Sequence, residues 1–402
     1  MCITREAEAT FGRLLAQYKA VLVTGPCQVG KSTMIGLCQG ETCGYVMLND
    51  PIALYRATRD PVLFFQDHPL SLVIDEVQYA PELFRCMKLL VDASDKRGRV
   101  VLTGFQSYRL MHGVSESLAG RVGILDLSGV SLREELNACG RGAYIPGASG
   151  PAKVARPENI RGRIWRGGMP EVVTGTVDWA TYYANYERTY LERDVRDLIN
   201  VRDMSAFYRF LVAMAARTGQ LLNMSDIAND ADVDAKTVSR WLSLLEASGI
   251  VLRLQPYFPY ASKRVSRTPK LHFMDTGLVA HLRGGLITPD ALARGAMAGA
   301  LFESYVVGEI ARTRMNAGRG ADGLYYYRDT RKREIDLLIV EGRVVHPVEV
   351  KAGANPGRDD IGSFLALNAL KGVEVGDGAV VCRAPRVYAI GERVKAVPIW
   401  AL

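Results

Sequence analysis

The stretch Val21-Leu22-Val23-Thr24-Gly25-Pro26-Cys27-Gln28-Val29-Gly30-Lys31-Ser32-Thr33 constrains this chain more than any other. Its β-branched apolar run predicts a strand, glycine breaks the run, and a lysine followed by hydroxyls leads into a helical stretch from Thr33. Gly25 and Gly30 permit a backbone in which successive N–H groups point into one hollow, which can hold a β-phosphate at a helix N-terminus. In the pattern G-x-x-x-x-G-K-[ST] the lysine, here Lys31, is expected to reach the β- and γ-phosphates, and Ser32 to complete the shell of Mg²⁺. The residues expected to bind ATP are therefore Gly25, Pro26, Cys27, Gln28, Val29, Gly30, Lys31, Ser32 and Thr33. An incidental glycine turn is the competing reading, and the strand before the loop and the helix after it weigh against that reading.

The surrounding residues have the rhythm of an open parallel sheet. Ala7, Phe11, Leu14 and Leu15 share one face of an amphipathic helix predicted between Thr4 and Tyr18. Strands are predicted at Gly44 to Asn49, Leu70 to Glu76, Arg99 to Gly104 and Val122 to Leu127, with helical segments between them. A ligand then belongs above the carboxyl ends of those strands. Asp75-Glu76 ends the most apolar of them. An aspartate there can hold the water shell of Mg²⁺, and the adjacent glutamate can polarise the water that attacks the γ-phosphate. The bland alternative is a helix N-terminus decorated with acids, since Ala80-Pro81-Glu82 follows.

Four motifs in order, Gly25 to Thr33, Ile74-Asp75-Glu76-Val77-Gln78, Leu102-Thr103-Gly104-Phe105-Gln106-Ser107 and Glu116-Ser117-Leu118-Ala119-Gly120-Arg121, resemble those of a prokaryotic AAA-type ATPase family. Members of that family carry a C-terminal domain of unknown function containing a winged helix and a restriction-endonuclease-like fold. The resemblance covers essentially the whole chain. It implies Asp75 as the Mg²⁺ aspartate, Glu76 as the catalytic base and the segment around Gln106 as the γ-phosphate sensor. Cys27 stands where the family usually has arginine, and Phe105 where it usually has a small polar residue, which leaves Gln106 or Thr103 as the sensor. Arg121 closes the series, either as a finger on a neighbour's γ-phosphate or as an internal sensor. The first of these roles requires a homo-oligomer.

At 402 residues and 48% hydrophobic the chain supports two or three domains with real cores and excludes a disordered protein. The expected fold is α/β: a P-loop NTPase parallel sheet over 1–136, a linker over 137–158, a helical and winged-helix domain over 159–285, and a restriction-endonuclease-like α/β domain over 286–402. The linker rests on Gly140, Gly142, Pro146, Gly147, Gly150, Pro151 and Pro157. A net charge of +7 and a pI near 9.0 favour an acidic partner such as DNA. The seven cysteines show no paired metal-type spacing; Cys38 and Cys43 are close, but nothing completes a zinc site. Arg5, Glu6 and Glu8 exclude a secretory h-region, and no apolar run is long enough for a bilayer, so a cytoplasmic location is expected.

A long helical region is predicted from Trp179 to Ala216, containing the run Tyr190 to Asp194 whose similar form occurs in the family. Ser225 is expected to cap a short helix, Val233-Asp234 to turn, and Ala235 to Ala247 to form a second helix with Val238, Trp241, Leu242 and Leu245 at helical spacing. This is helix-turn-helix arithmetic, with Lys236, Thr237, Ser239 and Arg240 on the outer face. The two strands of a wing fit between Ile250 and Phe273, where Arg253, Lys263, Arg264, Arg267 and Lys270 accumulate beside Tyr257, Phe258 and Tyr260. Such a wing either grips phosphates or packs on the ATPase as a lid.

The last domain opens on a helix at Leu301-Phe302-Glu303, followed by strands Leu324 to Arg328, Glu334 to Val340 and Val344 to Lys351. Asp336 interrupts an apolar strand, and Glu349 and Lys351 share one face of the next. An aspartate facing Glu-x-Lys resembles the nuclease superfamily typified by restriction endonucleases. The resemblance implies Asp336 and Glu349 as Mg²⁺ ligands and Lys351 as the catalytic cation, unless Lys351 is only a structural salt-bridge partner. Glu303 resembles the superfamily's fourth acid, with Glu309 as its competitor. The leading functional reading is an ATP-dependent nucleic-acid enzyme. Its rival is an ATP-driven switch that binds DNA or a protein without cutting; a nucleotide kinase has little support.

Overall fold

The computed structural model describes residues 3–40, 43–104, 117–148, 154, 156–189, 203–258, 268–284, 288–290 and 295–402. Helix α1 (Ala7–Gln17) leads into a five-stranded parallel sheet of β1 (Ala20–Thr24), β2 (Gly44–Met47), β3 (Leu72–Asp75), β4 (Val100–Gly104) and β5 (Val122–Asp126). The strand order is β2-β3-β4-β1-β5, with Thr24 opposite both Gly104 and Asp126. Alternate residues of each strand enter opposite cores, as the period of two requires. Ala20, Leu22, Leu72, Ile74, Val100 and Leu102 pack with Phe64, Phe84 and Met87 of the helices on one face. Val21, Val23, Val73 and Val101 point into a second core that runs on into the helical and C-terminal parts of the chain. Burial on both faces explains why these strands read as unbroken apolar runs.

The glycine-rich segment after this sheet is anchored. Tyr144 is buried and its N–H donates to Thr313 Oγ1 at 2.9 Å, while Arg133 and Arg141 both bond the Leu402 carbonyl. Of the predicted long helical region, helices Trp179–Tyr186 and Met204–Ala215 are described, and Tyr190 to Asp194 lie outside the described residues. Helices Met224–Ala231 and Ala235–Ala247 follow at an αL turn on Asp232. The cap of the first is Asn223 and not Ser225, because Asn223 is the residue with extended backbone, and its side-chain Oδ1 accepts from Ser225 N and Asp226 N. Asp234 caps the second, which buries Val238, Trp241, Leu242 and Leu245 and sets Trp241 edge-on against Phe207 and Phe210.

The short β6 (Gln220–Leu221) precedes these two helices, and the antiparallel hairpin of β7 (Val251–Pro256) and β8 (Lys270–Phe273) follows them, β6 pairing with β8. The helix Ala298–Asn316 precedes β9 (Leu324–Arg328), β10 (Glu334–Glu341) and β11 (Val344–Val350), an antiparallel meander. Beyond it lie β12 (Glu374–Val375), β13 (Gly378–Cys382), β14 (Tyr388–Ala389) and β15 (Val394–Pro398), of which β13 and β15 extend the sheet in parallel. Because β7 pairs with β9 at Gln255–Tyr325 and Pro256–Tyr326, the hairpin and the C-terminal strands form one sheet. No helix among the described residues is long and apolar enough to cross a membrane.

Candidate functional site

The loop after β1 closes tightly on its own sheet. A Cβ on Gly25 (φ +143°) would lie 1.9 Å from the Leu127 carbonyl oxygen, so only glycine fits. Helix α2 (Lys31–Gln39) begins two residues earlier than Thr33, with Gly30 in the left-handed conformation as its N-cap. Lys31 is buried and folds back across the loop, its Nζ donating to the carbonyls of Gly25 at 3.0 Å and Pro26 at 2.9 Å. The ammonium is thus held inside the hollow by neutral acceptors, which phosphate oxygens would replace with stronger, charge-assisted bonds. Arg5 braces the loop from behind: its guanidinium donates to Val29 O at 2.7 Å and Ser128 O at 2.6 Å and pairs with Glu134 at 3.0 Å. Pro26 on the loop's outer side approaches Gly249, where the helix Ala235–Ala247 ends; a Cβ there would lie 3.1 Å from Pro26 Cδ.

Asp75 ends β3 one strand away from β1, with β4 between them. Ser32 Oγ donates to its Oδ2 at 2.8 Å, the Tyr45 hydroxyl donates to the same oxygen, and the Glu76 N–H donates to Oδ1 at 3.1 Å. Burial, then the hydrogen bond to Asp75, pushes the Tyr45 phenol up to about 12, so it remains a donor across the neutral range. A hydroxyl and a carboxylate converging beside the lysine are the hard oxygen donors that suit Mg²⁺, and Ser32 and Asp75 would hold it.

Glu76 takes a left-handed backbone (φ +59°), and Gln78 Nε2 donates to its Oε2 at 2.5 Å. Gly104 leaves room for this arrangement, since a Cβ there would meet Gln78 Oε1 at 2.2 Å. Thr103 is buried with no hydrogen bond to its hydroxyl among the described residues, and Gln106 lies outside them. Arg121 makes a two-pronged pair with Asp92 of its own chain at 2.5 and 3.0 Å, both side chains about one-third exposed. That hydrogen bonding holds the Asp92 carboxyl below its ordinary range.

A second centre forms where the helix Ala298–Asn316 crosses the C-terminal sheet. Glu303, Asp336 and Glu349 converge there, and Lys351 Nζ bonds Glu349 Oε1 at 2.9 Å. Glu309 is elsewhere, accepting from Leu132 N at 2.8 Å and pairing with Arg312, which removes it as the fourth acid. In the middle sits a residue that sequence reasoning assigned to the wing. Lys270 of β8 is 3% exposed, with Nζ at 2.8 Å from Glu303, 2.5 Å from Glu334 and 3.5 Å from Asp336. Burial and then the Asp336 charge push the Glu303 and Glu349 carboxyls up; burial lowers the Lys270 ammonium, but its three carboxylates raise it on balance.

These positions correct the basic wing: Lys270 is internal, Arg253 is paired with Glu246, and Lys263, Arg264 and Arg267 lie outside the described residues. Arg5, Tyr45, Gln78, Glu334 and the true place of Lys270 were not foreseen. Tyr45, standing in β2 with its hydroxyl on Asp75, is the one that strand alternation could have flagged.

A phosphate loop after the first strand, an acid pair after the third and the order β2-β3-β4-β1-β5 define a P-loop ATPase of the AAA type. Residues 17–136 match the family model described as an AAA domain, 157–286 match the domain of unknown function DUF8612, and 298–402 match the domain of unknown function DUF4143. The chain is 31% identical over 397 residues to the proteins Mb2031c of Mycobacterium bovis and Rv2008c of Mycobacterium tuberculosis, covering 98% of itself and 83% of each. It belongs to the same family as these mycobacterial proteins. Among solved structures it is similar to the Walker-type ATPase paby2304 of Pyrococcus abyssi, with 14% identity, TM-score 0.39, 69% of this chain and 95% of that one. It is also similar to a RuvB variant of Thermotoga maritima, with 17% identity, TM-score 0.33, 62% of this chain and 90% of that one.

Proposed function

We propose that this chain hydrolyses ATP and uses the nucleotide state to move its helix-turn-helix and hairpin, a winged helix, against DNA. The observation that carries the hydrolysis is the convergence of Lys31, Ser32 and Asp75 at the carboxyl ends of β1 and β3. Lys31 and the loop N–H groups hold the β- and γ-phosphates, and Ser32 and Asp75 would hold Mg²⁺, which would supply neutralisation of phosphate charge. Glu76, freed from Gln78, accepts the proton of the attacking water. Thr103 or Gln106 senses the γ-phosphate. Arg121 is the finger or sensor, and as a finger it needs a second copy and release from Asp92.

The contact between Pro26 and Gly249 supports coupling of the loop to the winged helix, and exposed Lys236 and Arg240 supply its cationic face. For the C-terminal centre the meeting of Glu303, Asp336, Glu349 and Lys351 supports a restriction-endonuclease-like ancestry. Lys270 in its midst favours the switch that does not cut over the nuclease.

The test is ATP binding and turnover by purified variants. Lys31→Ala should lose binding, and Glu76→Gln should bind ATP with turnover reduced at least ~100-fold. Full affinity in the first, or surviving turnover in the second, rejects the assignment.

A further inference from the structure

We infer that Lys270 is a built-in cation standing where a divalent ion would otherwise sit in the acid centre of the C-terminal sheet, and that it latches the β7–β8 hairpin to that sheet. The lysine and the acids belong to different parts of the fold. Lys270 is in β8, whereas Glu303 is on the helix Ala298–Asn316 and Glu334 and Asp336 are on β10. An ammonium offers three donors and no acceptor, which matches three surrounding carboxylates. The Tyr326 ring covers the ammonium from a further side at 5.8 Å.

A hard divalent ion needs these same oxygens at about 2.0–2.6 Å together with room for waters. Glu303 Oε1 and Asp336 Oδ1 instead face the nitrogen, and the other Asp336 oxygen accepts the Val350 N–H at 2.9 Å. Among the described residues no group of three histidines, cysteines or acids is spaced to hold a metal ion. The metal implied by a nuclease reading therefore does not fit this arrangement, whereas a lysine does. A second tie joins the same elements, for His272 of β8 is wholly buried with Nδ1 at 3.1 Å from Ser304 Oγ.

The test uses full-length protein without nucleotide, so that its outcome does not depend on the ATPase assignment. Thermal melting and calorimetric titration with Mn²⁺ are compared for wild type, Asp336→Asn, Lys270→Ala and the double variant. Wild type and Asp336→Asn should respond to Mn²⁺ identically, because the centre is already filled. Lys270→Ala leaves buried carboxylates without their cation and should melt roughly 10 °C lower. Mn²⁺ should restore most of that loss, and Asp336→Asn in the double variant should abolish the rescue. If Lys270→Ala folds poorly, the same comparison is made on refolding yield with and without Mn²⁺. Mn²⁺ binding by wild type that Asp336→Asn removes would overturn the inference, as would a Lys270→Ala protein that neither loses stability nor gains a response to Mn²⁺.

Discussion

Asp75 spends its Oδ2 on two hydroxyls at once, those of Ser32 and Tyr45, on the side where a Mg²⁺ shell would form. A metal-bound water that takes its place on Oδ2 displaces at least one of them, and Tyr45 belongs to a different strand from the loop. A hydrogen bond to a charged group is worth about 1.5–3 kcal/mol, of which only part is lost on exchange with water. Tyr45→Phe should accordingly tighten Mg²⁺·ATP binding by roughly fivefold. Equilibrium titration with a fluorescent ATP analogue, with and without Mg²⁺, measures this; unchanged or weaker binding would mean that Tyr45 supports the metal. Asp75 itself was legible because an apolar strand ending in acids announces both its burial and its exit. Tyr45 was not, since its partner lies a strand away and pairing order is a tertiary property. The same physics hid Lys270: its charge was counted among exposed neighbours, although the acids that surround it come from 33 or more residues later in the chain.

At the scale of elements, local chemistry read well where one cap or one period decides. The five strands of the first sheet, the helix carrying Trp241 and the meander of β9 to β11 all lie where apolar runs and helical spacing predicted them. The strands β12 to β15 were not anticipated, being short or set in mixed sequence whose apolar content is explained only by the neighbours they pair with. The start of the helix Met224–Ala231 was displaced by two residues because asparagine and serine are both good caps and only backbone conformation chooses between them. The choice is measurable. Asn223→Ala should cost about 1 kcal/mol, whereas Ser225→Ala, inside the first turn, should cost a few tenths at most. Denaturant unfolding of the two variants orders them, and the reverse order would reinstate Ser225.

For the molecule as a whole, net charge suggested an acidic partner, and the fold redistributes that charge. Arg253 is paired with Glu246 and Lys270 with the acid centre, so their charges are already offset within the chain. DNA affinity measured against salt should then separate the basic residues into two sets. Lys236→Ala with Arg240→Ala should lower the slope of log K against log salt by about 0.9 per lost phosphate contact, while Arg253→Ala leaves it unchanged. An unaltered slope in the first pair would assign the helices Met224–Ala231 and Ala235–Ala247 and the β7–β8 hairpin to the lid role.

The backbone pairing of β7 with β9 has a further consequence. Because the seam between hairpin and C-terminal strands is made of main-chain hydrogen bonds, neither half is finished without the other. Shorn of residues from 298 onward, the chain would present the outer rim of β7 bare, a template on which a second molecule could build. The C-terminal strands thus serve the rest of the chain as a selvedge, the woven border that keeps a cloth from fraying.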